Sequence, residues 1–206
     1  MSAPKVAPPE LQPASFAFTP ENLEKANRQV AKYPAGRQQS AVMPLLDLAQ
    51  RQCGGWLPEV AIRTVAEFLG MPYIRAYEVA SFYTMYNLAP VGRHFVQVCT
   101  TTPCWLRGSA DVVSACKKTL GIGMGETTAD GLFTLREVEC LGACVNAPMM
   151  QINDDFYEDL DAESTAKVLE ALRRGEKPKV GPQNGRQASA PIGGPTTLNA
   201  PAGGDD

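Results

Sequence analysis

The chain has 206 residues, 44% of them apolar, with a net charge of −3 and six cysteines. That apolar fraction supports a buried core, and a pI of about 5.3 argues against nucleic acid as a partner. Six cysteines are too sparse for a disulfide scaffold, and no run of 18 apolar residues exists to insert into a membrane.

The opening Met1-Ser2-Ala3-Pro4-Lys5 has neither the regions of a secretory signal nor the Arg-rich look of an organelle transit peptide. The expectation is a bacterial cytoplasmic protein. Residues 1–15 carry Pro4, Pro8, Pro9 and Pro13 and are expected to be disordered. Thr19-Pro20-Glu21 is a helix start, with an N-cap, a proline in the first turn and an acid beside it. This helix is expected to reach about Lys32. A second covers about Gln38 to Gln52, with Val42, Leu45, Leu46, Ala49 and Cys53 on one face. Pro44 must then lie near its first turn or kink it. A third runs from Pro58-Glu59 to Leu69, closed by Gly70, and a fourth from about Ile74 to Phe82. Residues 16–90 therefore read as a small helical domain.

After Pro90 the pattern changes. His94 to Thr100 is strand-like, Trp105 to Leu120 reads as one helix, and Gly121 to Gly131 as a loop. Leu132 to Val138 is a second strand. Met149 to Ile152 and Phe156 to Leu160 form a hairpin around Asn153-Asp154-Asp155, and a last helix covers about Ala162 to Arg173. This order gives a sheet with helices packed on it, an α/β (or α+β) domain over 91–175. Residues 176–206 hold five prolines and six glycines among 31 residues and are expected not to fold.

Chemistry concentrates in four cysteines. Cys99 and Cys104 form a C-x4-C pair; after 35 intervening residues, Cys140 and Cys144 form a C-x3-C pair. Two close thiol pairs are a metal-site signature. Structural zinc favours tighter C-x2-C pairs, whereas a [2Fe-2S] rhomb needs two sulfurs on each of two irons and a peptide that wraps it. Pro103 and Cys104 open a helix, whose free N–H groups favour thiolates. Thr100, Thr101 and Thr102 add donors for sulfur. Gly142 lies inside the second pair, where a side chain would collide or bar a tight turn. Structural zinc and a thiol switch remain as rival readings, although neither pair is the C-x2-C of disulfide exchange.

The stretches Val98-Cys99-Thr100-Thr101-Thr102-Pro103-Cys104-Trp105-Leu106-Arg107-Gly108 and Glu137-Val138-Glu139-Cys140-Leu141-Gly142-Ala143-Cys144 resemble the thioredoxin-like [2Fe-2S] ferredoxin family. Within it the nearer likeness is to iron–sulfur subunits of respiratory NADH:quinone oxidoreductase (complex I), over roughly residues 16–173. The resemblance implies a thioredoxin-like domain behind an N-terminal helical bundle. It implies one [2Fe-2S] cluster on Cys99, Cys104, Cys140 and Cys144. It also implies electron exchange with the flavin of a partner subunit that binds FMN and NADH, with a neighbouring iron–sulfur subunit nearby. Such a subunit is not catalytic alone and sits peripherally on the cytoplasmic face of the inner membrane. Related subunits serve NAD-linked formate dehydrogenases and hydrogenases.

Other residues have plainer readings. Gly121-x-Gly123-x-Gly125 has the wrong spacing for a dinucleotide loop and follows a helix. Cys53 and Cys116 lie on apolar helix faces as small core residues. His94 is the only histidine, which excludes a Rieske centre. Trp56 and Trp105 read as core or interface anchors, with Trp105 placed to shield the site from water. Phe82, Tyr83 and Tyr86 read as core, with a face toward a partner subunit as the alternative. Ten acids and one base, Arg136, lie between Glu126 and Glu163, which points to a low reduction potential for any cluster bound there.

Overall fold

The computed structural model describes residues 6–194 and 197. The remaining positions, which include parts of both segments expected to be disordered, lie outside the described residues. The chain divides into two compact units, residues 1–91 and 92–206.

The first unit is helical: α1 (Pro20–Val30), α2 (Val42–Gln52), α3 (Glu59–Phe68) and α4 (Tyr73–Phe82). Thr19 caps α1, its hydroxyl accepting from the Asn22 N–H at 3.3 Å. The expected Gln38–Gln52 helix begins as a 3-10 turn, Gln38–Ala41, and becomes α-helical only at Val42. Pro44 thus falls in the first turn of α2, where no N–H is needed. Leu45, Leu46, Ala49, Ile62, Val65, Ala76 and Ala80 close the core. Gln50 accepts the Asn87 N–H at 2.7 Å and donates to Met85 O at 3.0 Å, fixing the chain after α4. The core reading succeeds for Tyr86, which is buried and donates to Met43 O, and fails for Phe82 and Tyr83. Those two follow the last inward residue of α4, Ala80, and Phe82 is 77% exposed. The arm before α1 does not float: Ala7 N–H donates to Leu88 O at 2.8 Å, and Gln12 Oε1 accepts from Glu59 N–H at 2.9 Å.

The second unit carries β1 (His94–Cys99), α5 (Thr102–Leu106), α6 (Ser109–Leu120), β2 (Phe133–Val138), β3 (Met150–Ile152), β4 (Asp155–Glu158), α7 (Ala162–Arg173) and β5 (Gly181–Pro182). The sheet order is β2-β1-β3-β4-β5. Strand β1 pairs parallel with β2 and antiparallel with β3, and β5 pairs parallel with β4. Val96 and Val98 of β1, Phe133 and Leu135 of β2, Val112 and Cys116 of α6, and Leu169 of α7 form one buried cluster. Alternation along β1 puts Val96 and Val98 on the same side of the sheet.

Two expectations are corrected here. The single helix Trp105–Leu120 is two, broken where Gly108 takes φ +96. Only a glycine enters that left-handed region cheaply, and the break lets α5 aim Cys104 independently of α6. The segment 176–206 is not wholly outside the fold. Besides forming β5, it places Gln183 N–H on Glu158 O at 2.9 Å. Pro/Gly content argues against a buried core but not against edge pairing, which uses backbone groups and tolerates proline.

Candidate iron–sulfur site

Strand β1 delivers Cys99 at its last residue, and α5 delivers Cys104 within its first turn. Both are buried, at 2% and 1% exposure, against Ala147 and Met149. Cys99 N–H donates to Met149 O at 3.3 Å, which extends the β1–β3 pairing up to the site. The other pair rides the connection after β2. Cys140 and Cys144 are exposed, with their sulfurs 3.5 Å apart. Gly142 takes φ +86 between them, and its N–H donates to Cys140 Sγ at 3.4 Å. The turn half of the Gly142 expectation is met. The steric half is not, because a Cβ there would meet no protein atom within 4 Å.

The pairs face one another. Leu141 N–H, from the second pair's loop, donates to Cys99, and the charges of Cys144 and Cys99 act on each other. Burial pushes the Cys99 thiol up, but the Thr101 hydroxyl and N–H, the Cys104 thiol and the Leu141 N–H all stabilise its thiolate, and the net direction is down. The Thr101 hydroxyl lies 3.3 Å from Cys99 Sγ. Cys104 goes the other way, pushed up to about 12 by burial and by its hydrogen bond with Cys99. Helix α5, which carries Cys104, is a single short turn, Thr102–Leu106. Cys144 is also raised, first by its hydrogen bond with Cys140.

A single tetrahedral zinc, with Zn–S near 2.3 Å, would hold all four sulfurs at mutual distances of about 3.8 Å. The four thiols divide into two plus two: a buried pair, Cys99 and Cys104, and an exposed pair, Cys140 and Cys144, whose sulfurs lie 3.5 Å apart. Thiolate-directed donors already stand at Cys99 and Cys140. This arrangement fits a [2Fe-2S] rhomb.

The comparisons follow the same line. Residues 26–173 match the thioredoxin-like [2Fe-2S] ferredoxin family. The chain belongs to that family. It is 57% identical over 186 residues to "NADH dehydrogenase [ubiquinone] flavoprotein 2, mitochondrial" of Dictyostelium discoideum, covering 90% of this chain and 75% of that one. It is 59% identical over 159 residues to an NADH-quinone oxidoreductase subunit of Rickettsia conorii, covering 77% of this chain and 95% of that one. Among solved structures, an NAD+-reducing [NiFe]-hydrogenase in the H2-reduced state superposes with a TM-score of 0.56 at 22% identity. The match spans 65% of this chain and 23% of the hydrogenase chain, and at that identity it speaks for the fold alone. No helix among the described residues is long and apolar enough to cross a membrane.

The remaining candidates take their plainer roles. Cys116 is fully buried beneath the sheet, and burial pushes its thiol up to about 12; Cys53, half-buried, is pushed up to about 11. Gly121 caps the end of α6 at φ +71, and Gly123 N–H is taken by Glu126 Oε2 at 2.6 Å, so this glycine run is a helix stop. His94 stacks on Phe133 with ring centroids 5.1 Å apart, and burial lowers its pKa. Trp105 is 65% exposed, which removes the core reading and leaves that of an interface anchor. Several of the acids counted in the sequence have partners of their own. Asp161 caps α7, Glu163 pairs with Lys167, and Asp159 lies against Arg186. Glu137 remains near the site, accepting the Thr100 hydroxyl at 2.6 Å. Sequence reading missed Arg186 altogether, because it sits in the tail taken as unfolded.

Proposed function

We propose that this chain is an iron–sulfur electron-transfer subunit of an NADH:quinone oxidoreductase, binding one [2Fe-2S] cluster through Cys99, Cys104, Cys140 and Cys144. The observation that carries the reading is the two-plus-two arrangement of these cysteines, on a chain 59% identical to a subunit of such a complex. When bound, the cluster supplies a one-electron carrier. The residues do the rest. Thr101 and the Leu141 N–H favour the Cys99 thiolate, Gly142 turns the second pair back on itself, and Met149 backs the buried pair.

In this reading residues 91–175 are the electron-transfer domain and 16–90 a docking domain. The partners are the flavin- and NADH-binding subunit and a neighbouring iron–sulfur subunit, on the cytoplasmic side of the membrane. Ile74, Phe82 and Met85, each about half exposed or more, give the helical unit apolar surface for such contact. Purified full chain should be red-brown, with visible absorption and a paramagnetic signal on reduction; a colourless, metal-loaded protein would mean zinc instead. It should not oxidise NADH unaided, and turnover with an artificial acceptor by the pure chain would sink the subunit reading. Affinity capture should return an NADH-binding flavoprotein.

A further inference from the structure

Beneath the segment that follows Cys144 lies a buried polar set with no place in the function so far. Asn146 is 0% exposed. Its Nδ2 donates to Ala188 O at 2.9 Å and to Glu158 Oε2 at 3.1 Å, and its backbone carbonyl accepts the Asp159 N–H at 2.7 Å. Arg186 reaches the same segment from the tail. Its Nη1 donates to Val145 O at 3.0 Å, and its Nε lies 3.3 Å from Asp159 Oδ2, with the two side chains only 8% and 5% exposed. Burying a guanidinium and a carboxylate costs more than most surface contacts return, so the pair must be held by its surroundings. The backbone agrees. Asp159 and Ala188 both take positive φ, +50 and +48, without being glycine. Each bonds Asn146, and such strain persists only where neighbouring contacts over-determine it. Strand β5, on the edge of β4, brings the tail to this point.

We propose that residues 181–190 are a latch on the exposed cysteine pair, with Arg186 the positioning residue that fixes Cys144 through Val145 and Asn146. The inference rests on the cluster assignment above. Cys140 and Cys144 sit on an exposed loop without the strand and helix that hold Cys99 and Cys104. The latch supplies from behind the rigidity that the loop lacks. Arginine suits the task because its fork reaches a carbonyl and a carboxylate at once.

The test uses the full chain with its cluster, as wild type, Arg186→Ala, the pair Arg186→Met with Asp159→Asn, and Arg174→Ala. Arg174 is an exposed arginine paired with Glu176 and serves as the control. Three readouts are taken: bleaching of the visible absorption by an iron chelator, the g-values of the reduced cluster, and Tm. Arg186→Ala should bleach about tenfold faster and shift the g-values, the usual scale for losing an outer-shell partner. The double variant removes the uncompensated buried carboxylate, so it should recover Tm while still bleaching fast. Arg174→Ala should match wild type. Wild-type bleaching and g-values in both Arg186 variants would overturn the latch, as would a double variant whose cluster lifetime recovers together with Tm. A wild-type chain that takes up no [2Fe-2S] cluster would overturn the cluster assignment and the latch together.

Discussion

The two cysteine pairs are built on opposite principles. Cys99 and Cys104 are part of the regular fold: one ends β1, the other lies in the first turn of α5, and both are buried to within 2%. Their positions follow from the β1–β3 register and from the hydrogen bonds of one helical turn. Cys140 and Cys144 belong to no long element; Cys144 opens a 3-10 turn of three residues, and both are exposed. Where the first pair is placed by the core, the second is placed by polar contacts that converge from β4 and the tail. The difference teaches that a metal site can be half core and half surface loop, and that the two halves should respond differently to the same perturbation.

The largest effects come from the ligands themselves. Serine in place of Cys99, Cys104, Cys140 or Cys144 should abolish or strongly perturb the cluster, read as lost visible absorption. In the apo chain the pairs should part company. Cys104→Ser places a hydroxyl in an apolar site and should cost about 1–3 kcal/mol by denaturant melt, whereas Cys144→Ser, on the surface, should leave the melt where it is. Equal losses would show that burial does not separate the pairs. Cys116→Ala should keep the cluster, because Cys116 lies in the core cluster under the sheet and not among the four.

Thiol labelling of the apo chain sharpens the contrast further. Cys140 and Cys144 should react with maleimide first, being the exposed thiols, while Cys99, Cys104 and Cys116 are shielded. Cys53 is the informative case, since it is half-buried with its thiol pushed up to about 11. The thiolate is the reactive form, so raising a pKa lowers the reactive fraction at any pH below it. Labelling of Cys53 should therefore climb about tenfold per pH unit between pH 7 and 10 and level off only above 11. Peptide mapping after timed labelling checks this; a rate that flattens near pH 9 would mean that burial does not govern Cys53.

How much of this was legible follows from the same contrast. The first pair announces itself, because a strand of alternating valines and a Thr-Pro helix start are local signals. The spacing of all four cysteines was legible for the same reason. Arg186 and β5 were not. A two-residue edge strand has no periodicity, and the Asp159–Arg186 contact joins residues 27 positions apart in a segment whose composition reads as disorder. The break at Gly108 was equally hidden, since glycine is tolerated inside helices and nothing local forces it to φ +96. The acid count erred in another way. It treated nearness in sequence as nearness in space and ignored pairing: Glu163 pairs with Lys167, and Asp159 pairs with Arg186 beside the segment that follows Cys144.

That correction leads to the smallest predicted effect. An all-thiolate [2Fe-2S] centre gains negative charge on reduction, so a fixed carboxylate nearby lowers its potential. At about 8 Å and an effective dielectric near 20, one unit charge is worth about 2 kcal/mol, or about 90 mV for a one-electron couple. Screening reduces this to tens of millivolts for exposed acids. Two carboxylates flank the site from β2 onward. Glu137 sits opposite Val98 in the β1–β2 register, and Thr100, next to Cys99, donates to it at 2.6 Å, so its charge is held toward the buried pair. Glu139, exposed like Glu137, lies next to Cys140 in the chain and is not tied to the strand of the buried pair by such a bond. Replacing either by glutamine should raise the potential in a redox titration followed by paramagnetic resonance, with Glu137→Gln giving the larger rise. Glu163 is paired with Lys167, so the shift from these two should exceed that from Glu163→Gln. If Glu139→Gln moves the potential more than Glu137→Gln, the field at the cluster is set from the exposed loop and not from the strand that carries the buried pair.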